Sequence, residues 1–86
     1  MAKVTMYSTN VCPYCVAAKN LFQTLNVSVE EIKLDTNFEL REKLSKENGG
    51  WRTVPMIFVG DKFIGGFDDV KALHAKNELL SLVNAP

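Results

Sequence analysis

The chain has 86 residues, of which 47% are hydrophobic, and its ten basic side chains balance ten acidic ones. This size suits one compact domain with a modest core, and a zero net charge gives no general attraction for nucleic acid or an anionic membrane. The sequence shows no secretory signal and no apolar run near the roughly 20 residues of a membrane helix. We therefore expect a single domain over residues 1–86 that is a cytoplasmic monomer with no nucleic-acid or membrane partner.

The first half of the chain predicts a strand, a helix and a second strand. Lys3 to Tyr7 alternates, with two apolar residues on one face. Helical spacing of apolar residues then predicts an amphipathic helix from residue 13 or 14 to residue 25. Those residues are Ala18, Leu21, Phe22 and Leu25. A second strand follows over residues 27–34, where the change of phase at Glu30-Glu31 indicates a bulge or an early irregular stretch.

The second half predicts a helix, a hairpin and a last helix. Thr36 to Glu39 has the form of a capping box, which predicts a helix near residues 37–48. Gly60-Asp61 suits a type II′ turn between strands 56–59 and 62–65. Asp68 or Asp69 can cap the last helix. The residues expected to face inward from that helix are Val70, Leu73 and Leu80.

The order of elements is therefore β-α-β-α-β-β-α, which indicates an α/β fold. Its first β-α-β unit is expected to be a right-handed parallel crossover. The hairpin adds an antiparallel pair, so the sheet is predicted to be mixed, with helices flanking it.

The two cysteines form the motif Cys12-Pro13-Tyr14-Cys15 at the start of the first helix. In a reducing cytosol such a pair indicates catalysis or metal binding rather than a structural bridge. A helix N-terminus stabilises a thiolate, which is the form that attacks disulfides, so Cys12 is the candidate nucleophile. Cys15 lies about one helical turn later, where it can resolve a mixed disulfide.

Metal binding and hydrolysis are the alternatives for this pair. A structural zinc site usually needs four ligands, whereas the chain adds only His74 to its two cysteines. His74 is expected to be an ordinary helix-face residue, and a Cys/His hydrolase would need it beside Cys12. We therefore expect no metal and favour redox chemistry.

Two further segments carry weaker signals. Thr53-Val54-Pro55 precedes an apolar strand, and alone it is only a strand start. The run from Gly65 to Asp69 leads into a helix N-terminus, so it is either an ordinary capped turn or a place where backbone N–H groups approach an anionic ligand.

These three motifs, in this order and in a chain of this length, closely resemble a dithiol glutaredoxin over essentially the whole sequence. The resemblance implies a thioredoxin-like fold with a four-stranded mixed sheet and a cis bond between Val54 and Pro55. It implies a glutathione-dependent oxidoreductase in which Cys12 is the nucleophile and Cys15 the resolving thiol. Protein disulfides and glutathione mixed disulfides would be its substrates, with ribonucleotide reductase among the candidate partners, and glutathione would be the reducing co-substrate.

The resemblance also implies a glutathione-binding groove. Its residues would be Tyr14, Arg41, Thr53, Val54, Pro55, Gly66, Phe67, Asp68 and Asp69. Asp side chains would receive the glutathione ammonium, and helix N–H groups would receive the γ-glutamyl carboxylate. Arg41 would face the glycine carboxylate, although a solvated helix charge is an equally simple interpretation.

Some positions depart from the pattern of the family that the chain resembles. Thr9 stands where a lysine is common, and Arg52 is the candidate to compensate for it. Met56 replaces a frequent Gln, and Trp51 is either a packing residue or a surface for a protein substrate. Two other classes stay open: a thioredoxin-type reductase, and an iron–sulfur carrier in which two chains share a cluster through Cys12 and glutathione.

Overall fold

The computed structural model describes residues 2–84. Met1, Ala85 and Pro86, the ends of the predicted domain, lie outside the described residues. The strands are β1 (Val4–Ser8), β2 (Val29–Lys33), β3 (Met56–Val59) and β4 (Lys62–Gly65). The helices are α1 (Pro13–Thr24), α2 (Phe38–Glu47), α3 (Phe67–Ala75) and α4 (Leu79–Asn84). Among residues 2–84, no helix combines the length and the apolarity that a membrane span needs.

The four strands form one sheet in the order β2-β1-β3-β4. β1 pairs parallel to β2 and antiparallel to β3, and β4 pairs antiparallel to β3. Gly60 has a φ of 61°, as the first position of the predicted hairpin turn requires. The predicted α/β fold with a four-stranded mixed sheet is confirmed.

Apolar residues cover both faces of this sheet. Because side chains alternate along a strand, Val4 and Met6 enter the larger core while Tyr7 joins the smaller one. The larger core combines β1 and β3 with α1, α3 and α4, and its fully buried centre includes Phe22. In the smaller core, Leu44 of α2 packs among aromatic side chains of the opposite sheet face.

Of the two alternatives predicted at Glu30-Glu31, the bulge is wrong, because the register between β1 and β2 runs without interruption. The early irregular stretch is confirmed before the strand, since β2 begins only at Val29. Glu31 keeps the phase of the strand and pairs with Met6, on the face of the sheet that α1 covers. A carboxylate is tolerated there because it hydrogen-bonds to Ser8 and pairs with Lys19 of α1. The register irregularity of the sheet instead lies between β3 and β4.

Two helix boundaries also differ from the predictions. The N-cap of α2 is Asn37 rather than Thr36, since the Asn37 side chain accepts the Leu40 N–H at 3.1 Å. The predicted last helix is divided into α3 and α4 by Asn77, which has a φ of 60°. This break changes the helical phase, so Leu79 is buried and Leu80, expected to face inward, is exposed.

Candidate active site

The two cysteines lie at the N-terminal end of α1, where Cys12 is the N-cap residue and Pro13 occupies the first turn. They are joined as a disulfide. The Cys15 backbone N–H donates to the Cys12 Sγ at 3.1 Å and shares its proton with the Cys12 carbonyl, also at 3.1 Å, so the sulfur receives an N–H from the first turn of the helix. Cys12 retains 8% exposure and Cys15 only 2%. Cys12 is therefore the more accessible of the two residues, and its sulfur lies at the positive end of the helix dipole.

The segment before Cys12 is held by the end of β2. The Asn10 N–H donates to both carboxylate oxygens of Asp35, at 3.1 and 3.0 Å. The Lys33 ammonium reaches the Thr9 carbonyl at 3.5 Å. These contacts fix the path of the chain into the reactive cysteine. Sequence reasoning missed Asp35, because the contact joins positions 25 residues apart.

Glu31 joins the same strand to α1. Its carboxylate accepts hydrogen bonds from the Lys19 ammonium at 2.8 Å and from the buried Ser8 hydroxyl at 2.7 Å. Lys33 lies 3.3 Å from the same group. The Lys19 and Ser8 hydrogen bonds are the main reason that the pKa of Glu31 falls from 4.5 to about 2. Glu31 is therefore charged at neutral pH and ties α1 to the edge of the sheet.

The Val54-Pro55 segment lies against the cysteines. Its peptide bond is cis, as the resemblance predicted. The Val54 carbonyl oxygen is 3.8 Å from the Cys12 Sγ. Pro55 is buried, whereas Val54 is half-buried and keeps an open side. The backbone of Val54 is thus available to a ligand bound next to the reactive sulfur.

A groove of about 300 Å³ opens beside this segment. Seven of the predicted binding residues line it: Tyr14, Thr53, Val54, Pro55, Gly66, Phe67 and Asp68. The rings of two of these residues, Tyr14 and Phe67, stack against each other, with centroids 6.3 Å apart. Gly66 is the N-cap residue of α3, so the free N–H groups of that helix begin at the groove.

Two predicted binding residues, Asp69 and Arg41, lie outside the set that lines this groove. The Asp69 carboxylate accepts the Gly66 N–H at 3.0 Å and so caps α3. Arg41 lines a separate depression together with Arg52, whose carbonyl it contacts at 3.2 Å. Trp51 borders the same depression.

Trp51 and His74 are the remaining residues singled out from the sequence. Trp51 packs edge-on against Phe63 in the smaller core, at a centroid distance of 5.2 Å. Its role as a packing residue is thus confirmed, and its use as a surface for a protein substrate stays a prediction. His74 is exposed near the C-terminal end of α3. Within residues 2–84, no group of three or more His, Cys, Asp or Glu side chains is arranged to hold a metal ion.

A helix-capping cysteine with a second cysteine behind it, beside a cis-proline on a four-stranded mixed sheet, defines a thiol–disulfide oxidoreductase of the thioredoxin-like fold. Residues 4–64 match the glutaredoxin family model. The chain is 41% identical over 85 residues to a glutaredoxin of Pseudomonas aeruginosa, covering 99% of this chain and 100% of that protein. Glutaredoxin 3 of Escherichia coli is 43% identical over 79 residues, covering 92% and 94%.

Solved structures agree with these relatives. The crystal structure of wheat glutaredoxin is 40% identical with a TM-score of 0.87, over 94% of this chain and 77% of that chain. A buckwheat glutaredoxin–glutathione complex is 32% identical with a TM-score of 0.88, over 95% and 76%. The chain belongs to the glutaredoxin family, and it is a glutathione-dependent thiol–disulfide oxidoreductase.

Proposed function

We propose that Cys12 is the nucleophile and Cys15 the resolving thiol in the reduction of protein disulfides and glutathione mixed disulfides. The observation that carries this proposal is the position of the Cys12 sulfur. It caps α1, receives the Cys15 N–H at 3.1 Å and belongs to the more exposed of the two cysteines. A thiolate at this position is stabilised by the helix N-terminus and can be reached by a substrate.

With a protein disulfide, the Cys12 thiolate attacks one sulfur and forms a mixed disulfide, while the other substrate sulfur leaves as a thiolate and takes a proton. Cys15 then attacks the Cys12 sulfur, which releases the second substrate thiol and leaves the Cys12–Cys15 disulfide. Two glutathione molecules reduce this disulfide and become glutathione disulfide. With a glutathione mixed disulfide, Cys12 takes the glutathione itself, and a second glutathione removes it without Cys15.

The groove beside Val54 is the proposed glutathione site. It is lined by Val54, whose carbonyl oxygen lies 3.8 Å from the Cys12 sulfur, and by Gly66 at the N-terminus of α3, so one bound molecule can contact both features. The N–H groups of Phe67 and Asp68, in the first turn of α3, suit the γ-glutamyl carboxylate, and the Asp68 side chain suits its ammonium. The buckwheat neighbour, described as a glutathione complex, supports the same ligand.

Arg41 and Asp69 belong to the proposal in different ways. The Arg41 guanidinium is positioned by its hydrogen bond to the Arg52 carbonyl. We propose that it pairs with the glycine carboxylate of glutathione. Asp69 accepts the Gly66 N–H, so we propose that it orders the N-terminus of α3 in addition to adding negative charge for the ammonium.

We further propose that the protein acts in the cytoplasm as a monomer. A catalytic dithiol regenerated by glutathione requires a reducing compartment, which supports that location. Ribonucleotide reductase is one candidate among the protein disulfides that it would reduce.

The glutathione site can be tested with Asp68→Asn, which removes a charge and keeps the shape of the side chain. Loss of a charge-assisted hydrogen bond is expected to raise the KM for glutathione about tenfold, with little change in kcat. Asp61→Asn, in the exposed hairpin turn, is the matched control. If both variants keep the wild-type KM, Asp68 does not bind the ammonium.

A further inference from the structure

Three large apolar side chains around Cys12 are exposed to solvent. Val11 is 91% exposed, Tyr14 62% and Val16 57%. Tyr14 lines the proposed glutathione groove, whereas Val11 and Val16 lie outside the set that lines it. We name these two valines the apolar edge. They flank the reactive sulfur in the sequence, one residue before it and four residues after it.

Packing at the N-terminus of α1 does not explain why the two positions of the apolar edge are apolar. Val11 precedes the N-cap and Val16 is the fourth residue of α1, the two positions that often pack together as a hydrophobic staple. Such packing would shield both side chains from water, but Val11 keeps 91% of its surface exposed. Its apolar surface therefore contributes almost nothing to the stability of α1.

The apolar edge is held in a fixed position. Val16 lies within α1, and its N–H donates to the Cys12 carbonyl at 3.2 Å. The residue before Val11 is anchored because the Asn10 N–H donates to both oxygens of the Asp35 carboxylate. Little conformational freedom is therefore lost when a partner covers these two valines, which favours binding.

We propose that the apolar edge binds apolar residues that flank the reactive cysteine of a protein disulfide, and so sets the preference among protein substrates. The inference rests on the proposed function of Cys12. In the mixed disulfide the substrate sulfur is bonded to the Cys12 Sγ, and since Cys12 is only 8% exposed, the substrate backbone must come close to the neighbours of Cys12. The proposed glutathione groove is lined by Tyr14 and not by Val11 or Val16, so a ligand in the groove would leave the edge open to a protein substrate.

The test uses two synthetic peptides, each closed by one disulfide and identical except at the residues flanking the cysteines. These are Leu and Val in one peptide and Ser in the other. Burial of one or two valines against the apolar peptide predicts that the wild type has a KM about tenfold lower for it than for the polar peptide.

The variants are Val11→Thr, Val16→Thr and the double variant, which keep the shape of the side chain and remove its apolarity. The double variant is expected to have nearly equal KM values for the two peptides. Leu80→Gln removes an exposed apolar residue on α4 and is expected to keep the wild-type ratio. Thermal unfolding of every variant verifies that it is folded.

Turnover of a glutathione mixed disulfide by the wild type separates this inference from the proposed function. If the wild type reduces that substrate but has equal KM values for the two peptides, the inference fails and the proposed function stands. The inference also fails if the double variant retains the wild-type ratio. A wild type that reduces neither kind of substrate would instead contradict the proposed function.

Discussion

Glu31→Gln is expected to destabilise the protein, but only at pH values at which the wild-type carboxylate is charged. The substitution keeps the size of the side chain and removes the charge that Lys19 and Lys33 face at 2.8 and 3.3 Å. Gln can still accept the Ser8 hydroxyl proton. The loss in free energy of unfolding therefore measures mainly the charge of Glu31.

The fall of the Glu31 pKa from 4.5 to about 2 corresponds to roughly 3 kcal/mol in favour of the charged form. The Lys19 and Lys33 side chains are 49% and 47% exposed, so water and salt weaken both pairs. We expect Glu31→Gln to lower the free energy of unfolding at pH 7 by about 1–2 kcal/mol.

The pH dependence has a defined direction. Folding lowers this pKa, so the folded state holds the proton less tightly than the unfolded state does. The contribution of Glu31 is then fully present above about pH 4.5 and is lost as the pH falls toward 2. The difference between wild type and Glu31→Gln is expected to shrink over this window.

Urea unfolding from pH 7 to pH 2.5 measures that difference, with Glu30→Gln as the matched control. Glu30 is the adjacent residue and pairs with Lys3 at 2.7 Å, but both side chains are about half exposed or more, so its loss is expected to cost less than about 0.5 kcal/mol. Equal effects of the two substitutions, or an effect of Glu31→Gln that persists unchanged at pH 2.5, would refute the reasoning.

Two further predictions concern the core and the groove. Phe22→Ala removes a side chain with 0% exposure, so it is expected to cost about 3–5 kcal/mol in urea unfolding, and a loss below about 1 kcal/mol would mean that the site collapses around the smaller residue. Gly65→Ala is expected to destabilise the protein by more than about 1 kcal/mol and to raise the KM for glutathione. Gly65 has a φ of 124°, and an added Cβ would meet the Asp69 carboxylate that caps α3. If Gly65→Ala leaves both the stability and the KM for glutathione unchanged, this cap does not order the groove.

The sequence predicted the elements of the fold well where a periodic pattern or a turn residue marks them. Apolar spacing located α1, and the Gly60-Asp61 turn located the hairpin. The end of α3 was missed because Asn77 is not a residue that must break a helix. It does so here in the left-handed conformation, which Asn tolerates better than most residues.

The residues of the site were predicted on grounds other than periodicity and turn residues. The thiolate chemistry of Cys12 and Cys15 was predicted from their spacing and their place at a helix start. The run from Gly65 to Asp69 gave only a weak signal for an anionic ligand, and the other groove residues came from the resemblance. Contacts such as those of Asn10 with Asp35 could not be predicted, since they depend on how the end of β2 lies beside the loop before α1. The Glu31 contacts are of the same kind, because periodicity carries no information on pairs so far apart.

The most direct test of the central claim is the reduction of two substrates by wild type, Cys12→Ser and Cys15→Ser, in the presence of glutathione, glutathione reductase and NADPH. One substrate is a small glutathione mixed disulfide and the other a protein disulfide. We expect Cys12→Ser to be inactive on both, and Cys15→Ser to keep the first activity and lose the second. Glutathione-dependent turnover of either substrate by Cys12→Ser, or loss of both activities in Cys15→Ser, would contradict the roles assigned to these two cysteines.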